Sequence, residues 1–396
     1  MDAEVRLHDR PVGRLVYDKG GSAFWYDDDL FAAEHRTLGQ VFEESPRAER
    51  RARIGLPPWF ANLLPEGELR RQVVREMGGG RVGDFRLLVR LGAVLPGAVS
   101  VHGSEPDDTD DPTGLQSTAA WDERSLRHSL AGMQLKYSIH SSRLSVPVRG
   151  PSGWWIAKLP DPNLEHLVQN EYLTMRWLSD AGMDVPDVAL LPAHAVPSIP
   201  EGFIAPDDPL FLVRRFDRAA EGRVHVEDFA QVFDAEPREK YGEFGATCDN
   251  VGAAIHGLLG DEGYFDYVRR LVAVVVTGNT DAHLKNWGLR YLDGRTPALS
   301  PVYDFHALNV YRRFRYAPLA LSLGGEQMPQ LVTLDNFRRL GDAAEVGPEV
   351  VVDLVRETVE RLRAAWTGEL AKEARHRFPA LADHYEGRLT ALPIAR

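Results

Sequence analysis

Cysteine is nearly absent from this 396-residue chain, with Cys248 as the one thiol. A single cysteine excludes an internal disulfide and a cysteine-rich zinc or iron-sulfur site, and it points to a reducing compartment. Long apolar runs are also missing. The longest clean aliphatic stretch is Leu271 to Val276, and the charged start M-D-A-E-V-R is not followed by an apolar segment of signal-peptide length, so neither export nor a membrane span is predicted. Basic residues are in deficit, 46 Lys and Arg against 58 Asp and Glu, a formal net charge of −12. A broad nucleic-acid-binding face is therefore disfavoured, because sequence-independent affinity for DNA or RNA comes from displacing phosphate counterions with Lys and Arg.

What is present suffices for ordinary cores: 44% of residues are hydrophobic and 26% charged. The length predicts two or three domains. Gly13 to Tyr17 and Ala23 to Tyr26, separated by Gly20-Gly21, read as a hairpin, and Glu68 to Met77 reads as a helix ending at three glycines. A small α+β domain over residues 1–101 follows. Residues 102–120 carry five acidic residues and two prolines with almost no apolar content, which predicts a solvated linker or loop. Strand-like runs then alternate with a helix from Leu167 to Ala181, giving a lobe over 121–217. Helices dominate residues 218–396, where Val355, Val359, Leu362 and Trp366 mark one apolar face.

The chemistry concentrates in Thr277-Gly278-Asn279-Thr280-Asp281-Ala282-His283-Leu284-Lys285-Asn286-Trp287, directly after the apolar helix. Asp281 and Asn286 are five apart, the spacing at which a catalytic Asp and a magnesium-binding Asn stand in the loop of protein kinases. Magnesium takes hard oxygen ligands and keeps most of its waters, so a carboxylate, an amide oxygen and the phosphates suffice. A second carboxylate, Asp304, is offered by Pro301-Val302-Tyr303-Asp304-Phe305-His306. Taken alone, D-x-H-x-x-N is also what a capping and turn cluster looks like. A kinase further needs a strand lysine on the phosphates and a helix glutamate to orient it. Lys158 lies in the strand Trp154 to Leu159 with apolar neighbours on both sides, and Glu171 follows in the next helix; a snorkelling edge-strand lysine is the competing reading.

Read together, S-L-A-G-M-Q-L-K, W-I-A-K-L-P, Q-N-E-Y, R-R-F-D-R, V-H-V-E-D-F-A-Q, G-N-T-D-A-H-L-K-N and P-V-Y-D, in that order, resemble the HipA-type serine/threonine kinase toxins. L-L-P-E-G followed by L-L-V-R-L-G-A-V-L-P-G-A-V is similar to that family's N-terminal domain. The resemblance implies an α+β, two-lobed fold related to protein and phosphoinositide kinases, with a small α+β N-terminal domain, a helical C-terminal lobe, and ATP and Mg2+ between the lobes. It implies Asp281 as catalytic base, Asn286 and Asp304 as magnesium ligands, and Lys158 on phosphate. Ala131, Gly132, Met133, Gln134, Leu135 and Lys136 would form the phosphate loop, and Arg214, Arg215 and Phe216 the adenine hinge. His283, Lys285 and Tyr303 would lie within the nucleotide site, and Ser129 would be the autophosphorylated serine.

The implied activity is phosphorylation of a cytoplasmic, translation-related protein, an aminoacyl-tRNA synthetase being the kind of substrate such toxins take. The implied partner is a small helix-turn-helix antitoxin that supplies the DNA contacts. The alternative from another class is an inert nucleotide-binding corepressor, which would bind ATP without transferring phosphate. Three further readings compete at single motifs. His225, Glu227 and Asp228 could hold a metal but are expected to be structural. Trp154-Trp155 could stack nucleic-acid bases but is expected in a core. Asp281, His283 and Asp304 could form a phosphohydrolase site, which would leave Lys158 and its loop without a purpose.

Overall fold

Period-two alternation opens the chain: in β1 (Asp2–Leu7) Ala3, Val5 and Leu7 are buried, while Asp2, Glu4 and Arg6 lie at or near the surface. The computed structural model describes residues 1–18, 20–27, 36–45, 48–77, 82–103, 145–150, 153–196, 204–243, 245–366 and 368–396. β1 pairs with β2 (Arg10–Asp18) and β5 (Val99–Gly103), and β3 (Gly21–Tyr26) and β4 (Arg50–Ala52) extend the sheet in the antiparallel order β4-β3-β2-β1-β5. The hairpin read from the sequence is β2–β3. Short helices α1 (Gln40–Glu44) and α2 (Pro58–Ala61), with α3 (Gly67–Glu76) and α4 (Asp84–Leu91), accompany this sheet. Phe24, Phe42, Trp59 and Phe60 meet edge to face or tilted in its core. The first two residues of the expected linker, His102 and Gly103, instead complete β5 against β1; its remaining residues fall in 104–144, outside the described residues.

A second antiparallel sheet, order β6-β7-β9-β8, comprises β6 (Ser145–Gly150), β7 (Gly153–Lys158), β8 (Val188–Pro192) and β9 (Pro209–Arg214). Alternation again assigns its faces. Leu210 and Leu212 of β9, with Ala157 of β7, enter a small core on one side, while Phe211 and Val213 enter the main core on the other. Helix α5 (Leu167–Asp180) packs on that second side, and its Trp177 donates Nε1–H to Leu362 O at 2.9 Å, tying the sheet to the helical half.

The helical half is built around α7 (Cys248–Thr277), reached through β10 (His225–Asp228) and the one-turn α6 (Phe229–Val232). Thr247 caps α7 reciprocally with Asn250, and Gly260 at φ 67 kinks it. Its last two turns, Leu271 to Val276, are buried on every side, as an all-apolar helix segment requires. β10, β11 (Gly288–Tyr291) and β12 (Ala298–Leu299) form a small antiparallel sheet, and α8 (Leu334–Ala343), α9 (Pro348–Ala365), α10 (Glu369–Arg377) and α11 (Pro379–Ala391) complete the lobe. The architecture is α+β and two-lobed, kinase-like, with an added N-terminal sheet. Among the described residues no helix is long and apolar enough to cross a membrane.

The N-terminal sheet docks onto the rest through polar contacts. Gly97 N–H donates to Asp217, and the guanidinium groups of Arg218 and Arg223 bond the carbonyls of Leu95 and Gly97. Gly97 stands at φ +68, and a Cβ there would lie 2.8 Å from Val226 N. Gly97→Ala is therefore expected to lower unfolding stability by at least about 1–2 kcal/mol, the cost of a left-handed alanine before the clash is added. Denaturant titration of both proteins measures it. The V-H-V-E-D strip proves structural, as expected. His225 Nε2 bonds Leu38 O at 2.8 Å, Glu227 accepts from Gln40 N–H and Trp59 Nε1–H, and Asp228 caps α6 through Gln231 N–H.

Candidate active site between the lobes

The loop that carries Asp281 begins where α7 stops. Gly278 adopts φ 73, and its N–H and that of Asn279 both bond Val274 O, a left-handed termination that turns the chain. Asn279 Oδ1 accepts from Asp281 N–H at 3.1 Å. Leu284 and Trp287 are buried and pull the loop inward, with Trp287 Nε1–H bonding Ala282 O at 3.1 Å. These anchors bring the polar residues between them together. Asn286 Nδ2–H donates to Asp281 O at 2.7 Å, so the amide oxygen, the atom a magnesium ion takes, is not used in that bond. The Asp281 carboxylate is fully buried and accepts from Tyr241 Oη–H at 3.1 Å. Burial and the Asp281 charge push the Tyr241 hydroxyl well above its ordinary range, keeping it a donor. His283 lies edge-on to Tyr241, with Nε2 3.9 Å from Asp281, beyond hydrogen-bond reach. Burial, with Lys240 and Lys285 adding to it, holds His283 well below its ordinary value, so the ring is neutral at physiological pH.

Lys158 enters from the other lobe. It shares the inner face of β7 with Ile156 and pairs across the strand with Phe211, so it points toward α5 and the helical half. Its ammonium lies 2.5 Å from Glu171 Oε1 and also contacts Asp304 Oδ1. Glu171 is fully buried on α5, a position a carboxylate tolerates only when paired. Asp304 holds φ 55, a left-handed backbone costly for a residue with a side chain and of the kind found concentrated at functional sites. One ammonium facing two carboxylates leaves this partly buried cluster with a net negative charge. The donors that Asn286 and Asp304 offer are hard oxygens, and no cluster of three or more His, Cys, Asp or Glu fit for a metal occurs among the described residues. This set suits magnesium and not a transition metal. Tyr303 ties the segment of Asp304 to the loop of Asp281 and Asn286, its Oη–H donating to Lys285 O at 2.9 Å.

The expected hinge divides. Arg214 and Arg215 turn their guanidinium groups onto Asp187 and Asp217, and their N–H groups already bond Asp187 O and Trp154 O. In this structure these side chains and N–H groups are thus engaged by protein partners, the Arg214 pair with Asp187 being a surface one. Phe216 faces the site, its ring 5.6 Å from that of Tyr303. Ser129 and the phosphate-loop residues Ala131 to Lys136 lie outside the described residues. Of the Trp154-Trp155 pair expected in a core, Trp155 is partly buried against the small core of the second sheet, whereas Trp154 is half-buried outside the cores and has the Arg149 guanidinium 5.8 Å from its ring. Sequence reasoning missed Tyr241, Lys240 and Glu66. Glu66 belongs to L-L-P-E-G but carries no local sign of its destination, and Tyr241 is 40 residues from the carboxylate it holds.

The model of the HipA-like C-terminal domain matches residues 128–366, and that of the HipA N-terminal domain residues 3–102. The chain belongs to the HipA family. A relative in Sinorhizobium fredii (strain NBRC 101917 / NGR234), Y4dM, a kinase by name, is 36% identical over 377 residues, 92% of this chain and 91% of its own length. The serine/threonine-protein kinase toxin HipA of Shewanella oneidensis (strain MR-1) is 24% identical over 376 residues, 84% of this chain and 81% of its own. The fold matches the solved Shewanella oneidensis MR-1 complex of HipA, HipB and operator DNA with a TM-score of 0.71 at 19% identity, covering 100% of this chain and 99% of that one. The HipA fold thus spans all three sheets described above.

Proposed function

We propose that this HipA-family chain is an ATP- and Mg2+-dependent serine/threonine protein kinase acting as the toxin of a toxin-antitoxin pair. The observation that carries the reading is the meeting of Lys158 with both Glu171 and Asp304, 13 and 146 positions away, beside the loop of Asp281 and Asn286. These groups supply the strand lysine, its helix glutamate and the metal-side carboxylate that phosphoryl transfer uses. Asp281 orients the attacking hydroxyl and accepts its proton, and Tyr241 holds one oxygen of its carboxylate in place. Lys158, fixed by Glu171, steadies the phosphates. Asn286 and Asp304 would hold magnesium, which supplies charge neutralisation on the phosphates when bound. Phe216 and Tyr303 offer an aromatic wall to the base, His283 a neutral ring and Lys285 a cation near the nucleotide, and residues 131–136 the covering loop. In this reading the kinase core comprises residues 121–217 and 218–396, and residues 1–101 form the added domain.

The family assignment supports a small helix-turn-helix antitoxin as partner, with DNA reached mainly through it, and a cytoplasmic protein of the translation machinery as substrate. Incubation with labelled ATP and Mg2+ is expected to label the wild-type protein, with mass spectrometry placing phosphate on Ser129. Asp304→Asn, which keeps a residue tolerant of the left-handed backbone, is expected to lose at least about 10²-fold of that transfer. Equal labelling of both proteins, or of neither, would overturn the assignment and leave the corepressor reading.

A further inference from the structure

The N-terminal domain meets the catalytic loop at Lys285, through the Glu66 carboxylate and the Asn62 carbonyl. Glu66, between Pro65 and Gly67, reaches Lys240 Nζ with Oε2 at 2.6 Å and Lys285 Nζ with Oε1 at 2.9 Å. Lys285 Nζ also donates to Asn62 O at 3.0 Å, and Asn62 in turn donates from Nδ2 to Ala235 O at 2.7 Å. Lys240 is buried, with its side chain 4% exposed, and Lys285 and Glu66 are 15% and 26% exposed. Both lysines lead to the catalytic loop. Lys285 stands inside it, between Asp281 and Asn286. Lys240 accepts Leu284 N–H on its carbonyl at 3.0 Å, and the next residue, Tyr241, holds the Asp281 carboxylate. Glu66 lies between two partly buried ammonium groups of like charge and bonds both; Asp281 also acts on Lys240 and Asp228 on Lys285, but neither bridges the pair, so loss of the Glu66 charge leaves the two lysines repelling each other with less compensation.

We propose that Glu66 is a positioning residue of the catalytic loop: by bridging Lys240 and Lys285 it fixes the segment from Asp281 to Asn286, which makes the N-terminal domain an integral part of the active site. The inference rests on the kinase reading for its catalytic meaning. Two neighbouring facts agree with it. The paired lysines hold the Glu66 carboxyl below its ordinary range although burial pushes it upward, so it is charged at neutral pH. The domain is also fixed independently at Gly97 and Glu227, so loss of the Glu66 bridge leaves it docked.

The full chain is compared as wild type, Glu66→Gln and Glu66→Asp. Glu66→Gln keeps the size and an acceptor but removes the charge, and is expected to lower kcat for phosphate transfer roughly 10- to 100-fold, the scale of a displaced catalytic group, with KM for ATP within about threefold of wild type. Glu66→Asp keeps the charge and is expected to recover a substantial part of that loss. Amide hydrogen exchange of residues 279–287 is expected to accelerate in Glu66→Gln and less in Glu66→Asp, while peptides of the first sheet exchange as in wild type. Unchanged kcat and unchanged loop exchange overturn the proposal. A rise in kcat also overturns it, because Glu66 would then restrain the enzyme, and so does a loss confined to KM, which would make Glu66 part of nucleotide binding. A wild type that transfers no phosphate overturns the kinase reading itself, and loop exchange still decides whether Glu66 anchors the loop.

Discussion

Asp281→Asn is expected to slow phosphate transfer by about 10³-fold, within the range that a positioned proton acceptor contributes, while nucleotide binding stays within about threefold of wild type. Asparagine is the informative replacement because the site is closed. The Asp281 side chain is fully buried, and its Oδ1 accepts the Tyr241 hydroxyl. An amide of the same shape still accepts that hydroxyl through its oxygen, so the loop is expected to hold; it offers no basic atom to the substrate. Alanine would instead strand the Tyr241 hydroxyl and open a void, mixing loss of chemistry with loss of structure. Single-turnover transfer from labelled ATP separates chemistry from product release. An asparagine variant retaining more than a tenth of the wild-type rate would show that the hydroxyl does not lose its proton to Asp281.

The second large effect concerns stability. Glu227 is buried where the N-terminal domain meets β10. It accepts from Gln40 N–H at 3.0 Å, from Trp59 Nε1–H at 3.3 Å and from the Tyr291 hydroxyl. Burial pushes its carboxyl up to about 7, against the opposing pull of those donors. A carboxyl whose folded value exceeds its unfolded value near 4.5 binds more protons when folded between those two limits, so folding loses stability as pH rises from about 4.5 to about 7. The full swing is on the order of 3 kcal/mol. Glu227→Gln removes this titration, so the stability of the variant minus that of wild type is expected to grow from pH 5 to 7 and to level off above. Taking the difference cancels His225, pushed down to about 4, while Asp228, itself pushed up to about 6, interacts with Glu227 and leaves a residual contribution of its own. Denaturant unfolding at several pH values measures it, and a difference that does not change with pH would show that Glu227 stays charged in the folded state. Glu227→Ala, which strands three donors, is expected to cost about 2–4 kcal/mol at pH 5.

Much of the site was legible because it is local along the chain. The five-residue spacing of Asp281 and Asn286, the apolar helix that delivers them, and the alternation that makes Lys158 an anomaly inside a strand are all patterns within a few residues. Helix α5 and the strands on either side of it were readable for the same reason, since periods of 3.6 and 2 register directly in composition. The hinge was legible only as a crossing point. That Arg214 and Arg215 turn to Asp187 and Asp217 depends on which strands lie beside them, and nothing in R-R-F-D-R states that. V-H-V-E-D was expected to be structural and is a docking strip, but what it docks was not legible, because buried polar residues between two bodies and buried polar residues around a ligand are the same residue types.

By itself, then, the sequence of this protein determined the local elements, the α+β class and the candidates for the phosphate-handling residues, because secondary structure and short-range spacing are set by neighbours along the chain. Only the tertiary structure decided which charges face each other: Lys158 with Glu171 and Asp304, Tyr241 with Asp281, and Glu66 with Lys240 and Lys285 across 174 and 219 positions. Such pairings leave no periodic trace. They become favourable only when folding has removed the water that would otherwise solvate each charge alone.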